Sequence, residues 1–121
     1  MDKLRILVAE DSEETGTLIK FALEKAGYDV HHVLDGLEAL KAIEISVPDL
    51  LITDILMPGM NGFELMEELI KRNIKVKTIV LAVQKSDEDI IRGLGHGAMD
   101  FIQKPFSPRE MVARVKGILA R

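Results

Sequence analysis

Five short apolar runs recur along the chain, and each is followed by a stretch in which apolar positions return every three or four residues. Short apolar runs are typical of strands buried on both faces, and the longer periodic stretches are typical of amphipathic helices. The runs predicted as strands are Leu4–Ala9, Asp29–Val33, Leu50–Thr53, Thr78–Val83 and Asp100–Ile102. Strand and helix therefore alternate five times, which favours right-handed crossovers and a parallel sheet with helices on both faces.

Start signals precede the predicted helices. Candidate capping residues are Ser12 or Asp11, Asn61, Ser86 with Asp89 as a capping box, and Ser107 with Pro108 and Glu110. Gly27 is a plausible end for the first helix. We expect the fourth helix to be the weakest, because Gly93, Gly95 and Gly97 each cost roughly 1 kcal/mol against Ala in a helix interior.

The composition suits one compact domain, predicted to span residues 1–121. Of the 121 residues, 47% are hydrophobic and 30% are charged, with a net charge of -4. This acidic balance argues against a nucleic-acid-binding surface, which is usually basic. Because the chain has no cysteine, disulfides and thiolate chemistry are excluded. With no signal peptide or membrane span visible, we expect a cytoplasmic protein that binds neither nucleic acid nor membrane through this domain.

Charged residues interrupt the apolar pattern where three of the predicted strands end. Glu10 and Asp11 follow the first strand, Asp54 follows the third, and Lys104 follows the fifth. In an open parallel sheet, ligands bind at the carboxyl ends of the strands. Acids at the end of a buried strand are costly unless a cation lies nearby. Asp54 is therefore the expected chemical centre, and the other three residues are candidates for the same site.

The motifs around these residues resemble those of the receiver domain of two-component response regulators, over essentially the whole chain. They are the acidic pair after strand one, the stretch D-I-L-M-P-G-M-N-G at 54–62, and F-I-Q-K-P-F at 101–106. The resemblance implies a flavodoxin-like α/β fold with strand order 2-1-3-4-5, which makes strands one and three neighbours. It also implies a signalling domain that accepts a phosphoryl group from a sensor histidine kinase or a histidine phosphotransfer protein.

The resemblance assigns roles to individual residues. Asp54 would be the nucleophile, Lys104 would neutralise charge on the transferring group, and Pro105 would be a cis-proline that aims Lys104 inward. The implied magnesium ligands are Asp11 and Asp54 directly, Glu10 through water, and the Leu56 carbonyl. Hard oxygen ligands without His or Cys favour this ion. The domain would be no conventional enzyme, catalysing at most its own phosphorylation and dephosphorylation.

One position departs from the family pattern. Receiver domains normally carry Thr or Ser at the end of strand four, where the hydroxyl binds the phosphoryl group and pulls an aromatic residue of strand five inward. Ala82 occupies this position here, and the aromatic residue is Phe101. A hydrogen bond to a charged group contributes roughly 1.5–3 kcal/mol, so switching should weaken by about ten- to a hundredfold while phosphotransfer persists.

Three explanations of Ala82 remain open: a relay domain that passes the phosphoryl group on, a receiver that switches through another contact, or an engineered substitution. The same change leaves open whether a downstream protein reads phosphorylation on the face formed by helix four, strand five and helix five. A phosphate-independent interaction module on the same fold is a further alternative. Ala82 supports it, whereas the retained acids and Lys104 oppose it.

Two other functions fit the sequence less well. A flavodoxin-like electron carrier would share the fold, but the acids within residues 10–14 would repel the phosphate of FMN. A haloacid-dehalogenase-type phosphatase would need a second acid where Leu56 stands. The three histidines, His31, His32 and His96, are expected at the surface and receive no role.

Overall fold

The computed structural model describes residues 2–83 and 86–121. The strands are β1 (Arg5–Ala9), β2 (Asp29–Val33), β3 (Leu50–Asp54), β4 (Lys77–Ala82) and β5 (Asp100–Gln103). The helices are α1 (Glu13–Lys25), α2 (Gly36–Ile45), α3 (Gly62–Lys71), α4 (Asp87–Gly95) and α5 (Pro108–Leu119). Each predicted strand is present, with its ends shifted by at most one residue. Within the described residues, no helix has both the length and the apolar character needed to cross a membrane.

The five strands form one parallel sheet in the order β2-β1-β3-β4-β5, which confirms the predicted fold class. In this register Ala9 lies opposite Thr53, and Ala82 lies opposite Gln103. The carboxyl ends of β1, β3 and β5 therefore lie along one edge of the sheet. The charged residues that follow these strands are brought to the same edge.

Helices cover both faces of the sheet because successive strand side chains point to opposite sides. In β1, Ile6 and Val8 belong to the core beneath α1 and α5, whereas Leu7 and Ala9 belong to the core beneath α2 and α3. A third, smaller cluster lies between α3, β4 and β5 and consists of Phe63, Met66, Val80, Ala98 and Phe101. Within α4, Gly93 is the buried residue, so this helix is held by little apolar contact.

The predicted start signals act as N-caps. Side-chain oxygens of Ser12, Asn61, Ser86 and Ser107 each accept a hydrogen bond from the backbone N–H three residues further on. Ser12, rather than Asp11, caps α1, which leaves the Asp11 side chain exposed. Gly27 follows α1 with a φ of 104°, a conformation that Gly adopts without steric cost. Local capping thus determines where α1 starts relative to the acidic pair.

Candidate functional site

Three carboxylates converge at the sheet edge where β1 and β3 end. Glu10, Asp11 and Asp54, which we call the acidic cluster, each offer a carboxylate oxygen within 4.8 Å of the others. Glu10 is fully buried and Asp54 is 7% exposed, whereas Asp11 is open to solvent. This convergence follows from the pairing of β1 with β3, because the carboxyl ends of two neighbouring strands of the sheet lie side by side.

Lys104 supplies the cation that the buried acids require. Its Nζ lies 2.5 Å from Glu10 Oε1 and 2.7 Å from Asp54 Oδ2. The residue follows β5, and its backbone N–H donates to the Ala82 carbonyl at 2.8 Å. β4 separates β5 from β3, so the long lysine side chain is needed to span the distance. The Lys104–Pro105 peptide bond is cis.

Backbone groups hold the remaining oxygens of the two buried carboxylates. The N–H of Ile55 donates to Asp54 Oδ1 at 2.8 Å, and the N–H of Ser12 donates to Glu10 Oε2 at 3.1 Å. Each carboxylate is therefore fixed by one backbone donor and by Lys104. Charged groups fixed in this way need little rearrangement when a reacting group arrives.

Burial and hydrogen bonding between charged groups have opposite effects on the pKa values of Glu10 and Lys104. Burial raises the pKa of Glu10, and the hydrogen bond from Lys104 opposes part of that rise. Burial by itself would lower the pKa of Lys104, but hydrogen bonds to Asp54 and Glu10 outweigh it, so this pKa is raised. Lys104 therefore stays charged, and the site combines a fixed cation with an acid that ionises reluctantly.

The donor set fits a hard divalent cation. Magnesium takes oxygen ligands, keeps several waters and is typically bound through one or two carboxylates. The acidic cluster supplies three carboxylates, and exposed Asp11 gives a hydrated ion access to them. Leu56, two residues after Asp54, lines with it an open depression of about 460 Å³. The residues present are therefore compatible with magnesium at this edge of the sheet.

The two predicted switch positions lie in different surroundings, Ala82 next to Asp54 and Phe101 in the packed interior under α4. Ala82 ends β4, is 3% exposed and lines the same depression as Asp54. Phe101 is 6% exposed and packs in the third cluster under α4, where Gly93 leaves room for its ring. Thr78, the nearest preceding hydroxyl on β4, instead donates to the Val76 carbonyl at the opposite end of the strand. The aromatic ring is therefore buried without any hydroxyl at position 82.

The expectation of surface histidines is wrong for two of the three. His31 is exposed, but His32 is half-buried, with Nε2 2.8 Å from the Glu10 carbonyl oxygen and its ring against Gly16. A glycine inside a helix often marks the close approach of another group, so Gly16 within α1 was the feature of the sequence that could have indicated a side chain packed against this helix. His96 is also half-buried and bridges α4 to α3 through Glu67.

Comparison with known sequences finds similarity over most of the chain. The family described as "Response regulator receiver domain" matches residues 6–116. The chain is 42% identical over 117 residues to the alkaline phosphatase synthesis transcriptional regulatory protein PhoP of Bacillus subtilis (strain 168). That match covers 97% of this chain and 49% of the relative, so the chain spans about half of the relative's length.

Solved structures superpose closely on the whole fold. The Francisella response regulator 1452 receiver domain is 35% identical with a TM-score of 0.92, and 98% of each chain is covered. The signal receiver domain of a signal transduction histidine kinase from Syntrophus aciditrophicus is 37% identical with a TM-score of 0.83, covering 96% of this chain and 89% of that one. With fold, motifs and relatives in agreement, the chain belongs to the response regulator receiver domain family.

Proposed function

We propose that Asp54 accepts a phosphoryl group from a phosphohistidine of a sensor histidine kinase or a histidine phosphotransfer protein. The observation that carries the proposal is the bridge from Lys104 Nζ to Asp54 Oδ2 and Glu10 Oε1 at the carboxyl edge of the sheet. An oxygen of the Asp54 carboxylate attacks phosphorus, the phosphorus–nitrogen bond breaks, and the imidazole leaves with the bonding electron pair. The product is an aspartyl phosphate.

The surrounding residues have separate tasks in this proposal. Lys104 neutralises charge on the phosphoryl oxygens, and the Ile55 N–H orients the Asp54 carboxylate. The proposed magnesium ligands are Asp11, Asp54, Glu10 through water and the Leu56 carbonyl. When bound, the ion lowers the repulsion between the anionic nucleophile and the anionic phosphoryl group. Residues 1–121 would act as one receiver unit, in the cytoplasm with the kinase domain that serves it.

Ala82 is proposed to weaken the coupling between phosphorylation and the face formed by α4, β5 and α5. Without a hydroxyl at this position, a hydrogen bond worth roughly 1.5–3 kcal/mol to the charged phosphoryl group is missing. That loss corresponds to a reduction of about ten- to a hundredfold in the two-state ratio. A downstream protein that reads this face would therefore see a smaller change than in a receiver with Thr or Ser.

The burial of Phe101 favours a second candidate function, an interaction module that works without phosphate. Its ring already occupies the space under Gly93, so no phosphoryl group is needed to draw it inward. The retained Lys104 bridge favours the phosphoacceptor function instead. A relay role would reconcile the two, because it needs phosphotransfer without a change at α4. Similarity to the receiver of a histidine kinase is in keeping with such a role.

Intact mass after incubation with magnesium and acetyl phosphate tests phosphoacceptance. We expect the parent to gain one phosphoryl group and Asp54→Asn to gain none. No gain in either protein, with magnesium shown to bind, would favour the interaction module, and a phosphohistidine donor would then be tried. Failure to gain a phosphoryl group and to bind magnesium would contradict the role given to the acidic cluster.

Restoring a hydroxyl tests the switching proposal. Amide NMR spectra of the parent and of Ala82→Thr would be compared before and after phosphorylation. We expect small shift changes in α4 and β5 of the parent and larger ones in the variant. Ala82→Ser is a second hydroxyl variant, and Ala82→Val controls for added bulk. Equal responses in all four proteins would show that position 82 does not limit switching.

A further inference from the structure

The outer face of α1 carries an ordered set of exposed side chains. Glu14, Leu18, Phe21 and Lys25, which we call the α1 face, follow one another at intervals of four, three and four residues. Such spacing places side chains on one side of a helix. Leu18 is 46% exposed and Phe21 is 65% exposed. Two large apolar side chains therefore lie between an acid at the N-terminal end and a base at the C-terminal end.

The apolar part of the α1 face continues onto α5. Leu18 and Phe21 border an open groove of about 600 Å³, whose far side is formed by Pro108, Val112 and Ala113 of α5. Lys25, with Arg109 and Lys116, lies at its rim. An apolar patch with a polar rim on a soluble domain is typical of a protein-interaction surface.

The order of residues on the α1 face is complementary to itself. If two copies of α1 pack antiparallel about a two-fold axis between positions 19 and 20, Leu18 of each copy faces Phe21 of the other. The same axis places each Glu14 opposite Lys25, so every contact occurs twice, as a two-fold interface requires. A parallel pairing would instead place like charges opposite each other, which is unfavourable.

We propose that the α1 face binds a second copy of this chain in the antiparallel arrangement. Exposure, helical spacing and charge order support this dimer, and none of them depends on the proposed phosphoacceptor function. One helix pair with the flank of α5 is smaller than a stable interface of about 800 Å² per partner. The dimer should therefore be weak, with a dissociation constant between about 10 μM and 1 mM.

Sedimentation equilibrium with charge-swap variants tests this dimer. The whole chain would be studied at low salt from about 10 μM to about 2 mM, a range that brackets the expected dissociation constant. We expect the parent mass to rise toward that of a dimer. Glu14→Lys and Lys25→Glu should each weaken association about five- to tenfold, because both ion pairs become like-charge pairs. The double variant should restore it, since both pairs return with their charges exchanged.

Two controls separate the interface from general effects. Phe21→Ser should abolish association while leaving the melting temperature nearly unchanged, because the side chain is largely exposed. Lys41→Glu makes the same charge change on exposed α2 and should leave association at the parent level. A parent that stays monomeric throughout would overturn the proposal. So would association that ignores the single swaps, or single swaps that the double variant does not rescue.

Discussion

Gly93 is the position where α4 approaches the ring of Phe101. We predict how its replacement by Ala changes the free energy of unfolding, with the same replacement at Gly117 as the reference. A Cβ added at Gly93 would lie 2.8 Å from Phe101 Cε2 and closer still to Cζ. Gly117 lies in the last turn of α5, and apart from its chain neighbours and the local helix backbone no described atom is within 4 Å of the corresponding Cβ. The methyl group of Ala would therefore meet a packed ring at position 93 and open space at position 117.

The expected magnitudes follow from that difference. Replacing Gly by Ala inside a helix stabilises by up to about 1 kcal/mol through backbone entropy. Gly117→Ala should gain about 0.5–1 kcal/mol in this way. Forcing an extra methyl group into a packed site typically costs about 1–3 kcal/mol. Gly93→Ala should therefore be less stable than Gly117→Ala by about 1–3 kcal/mol, and it should fall at or below the parent.

Urea unfolding followed by far-UV circular dichroism measures these free energies. Phe101→Leu serves as the background in a double-mutant cycle, because a smaller side chain leaves room for the methyl group of Ala at position 93. We expect Gly93→Ala to cost less in that background than in the parent. If Gly93→Ala stabilised the parent as much as Gly117→Ala does, the Phe101 ring would not be confined under α4, and the support for phosphate-independent function would be lost.

Three further predictions concern the cation of the site, the ion-paired acid between α3 and α4, and the N-cap of α3. Lys104→Met leaves two buried carboxylates without their cation. In the absence of magnesium the variant should therefore have a free energy of unfolding lower than the parent's by about 1–3 kcal/mol. Added magnesium should raise the melting temperature of this variant more than that of the parent. Hydrogen bonds from Arg92 and His96 lower the pKa of Glu67, so NMR titration should place its midpoint below 4.5. The stability from that contact is present above pH 4.5 and is lost as the pH falls through the folded-state pKa; Glu67→Gln should remove this dependence. Asn61→Ala removes one half of the capping box of α3 and should cost about 1 kcal/mol in urea unfolding, with Asn61→Asp as the tolerated control.

The local features of this protein could be read from its sequence because they depend on near neighbours. Apolar runs and helical periodicity located all five strands, and the capping positions needed only residues three apart, as with Ser12 and Thr15. The strand order could not be predicted from near neighbours. Periodicity indicated a parallel sheet, but the order 2-1-3-4-5 came from the resemblance to receiver domains, which rests on motifs spread over the chain.

The grouping of Glu10, Asp54 and Lys104 could be anticipated once that order was assumed, because strand ends share one edge of a parallel sheet. The sequence could not predict the distance from Lys104 to Asp54 or the hydrogen bonds from the backbone N–H groups of Ile55 and Ser12. These depend on how β5 and the following turn pack. Pattern alone also treated Asp11 and Glu10 as equivalent, whereas the structure buries one and exposes the other.

The sequence by itself therefore determined the fold class, the starts of α3, α4 and α5 and the residues of the acidic cluster, since each is set by local pattern or by motif. Only the tertiary structure decided the burial of His32 against Gly16, the link from Glu67 to His96, 29 residues apart, and the position of Phe101 under Gly93. These contacts join distant segments and depend on the shape of the packed interior, which no periodic pattern records. The physical reason is that helix and strand propensities act over a few residues, whereas packing is decided where separate elements meet.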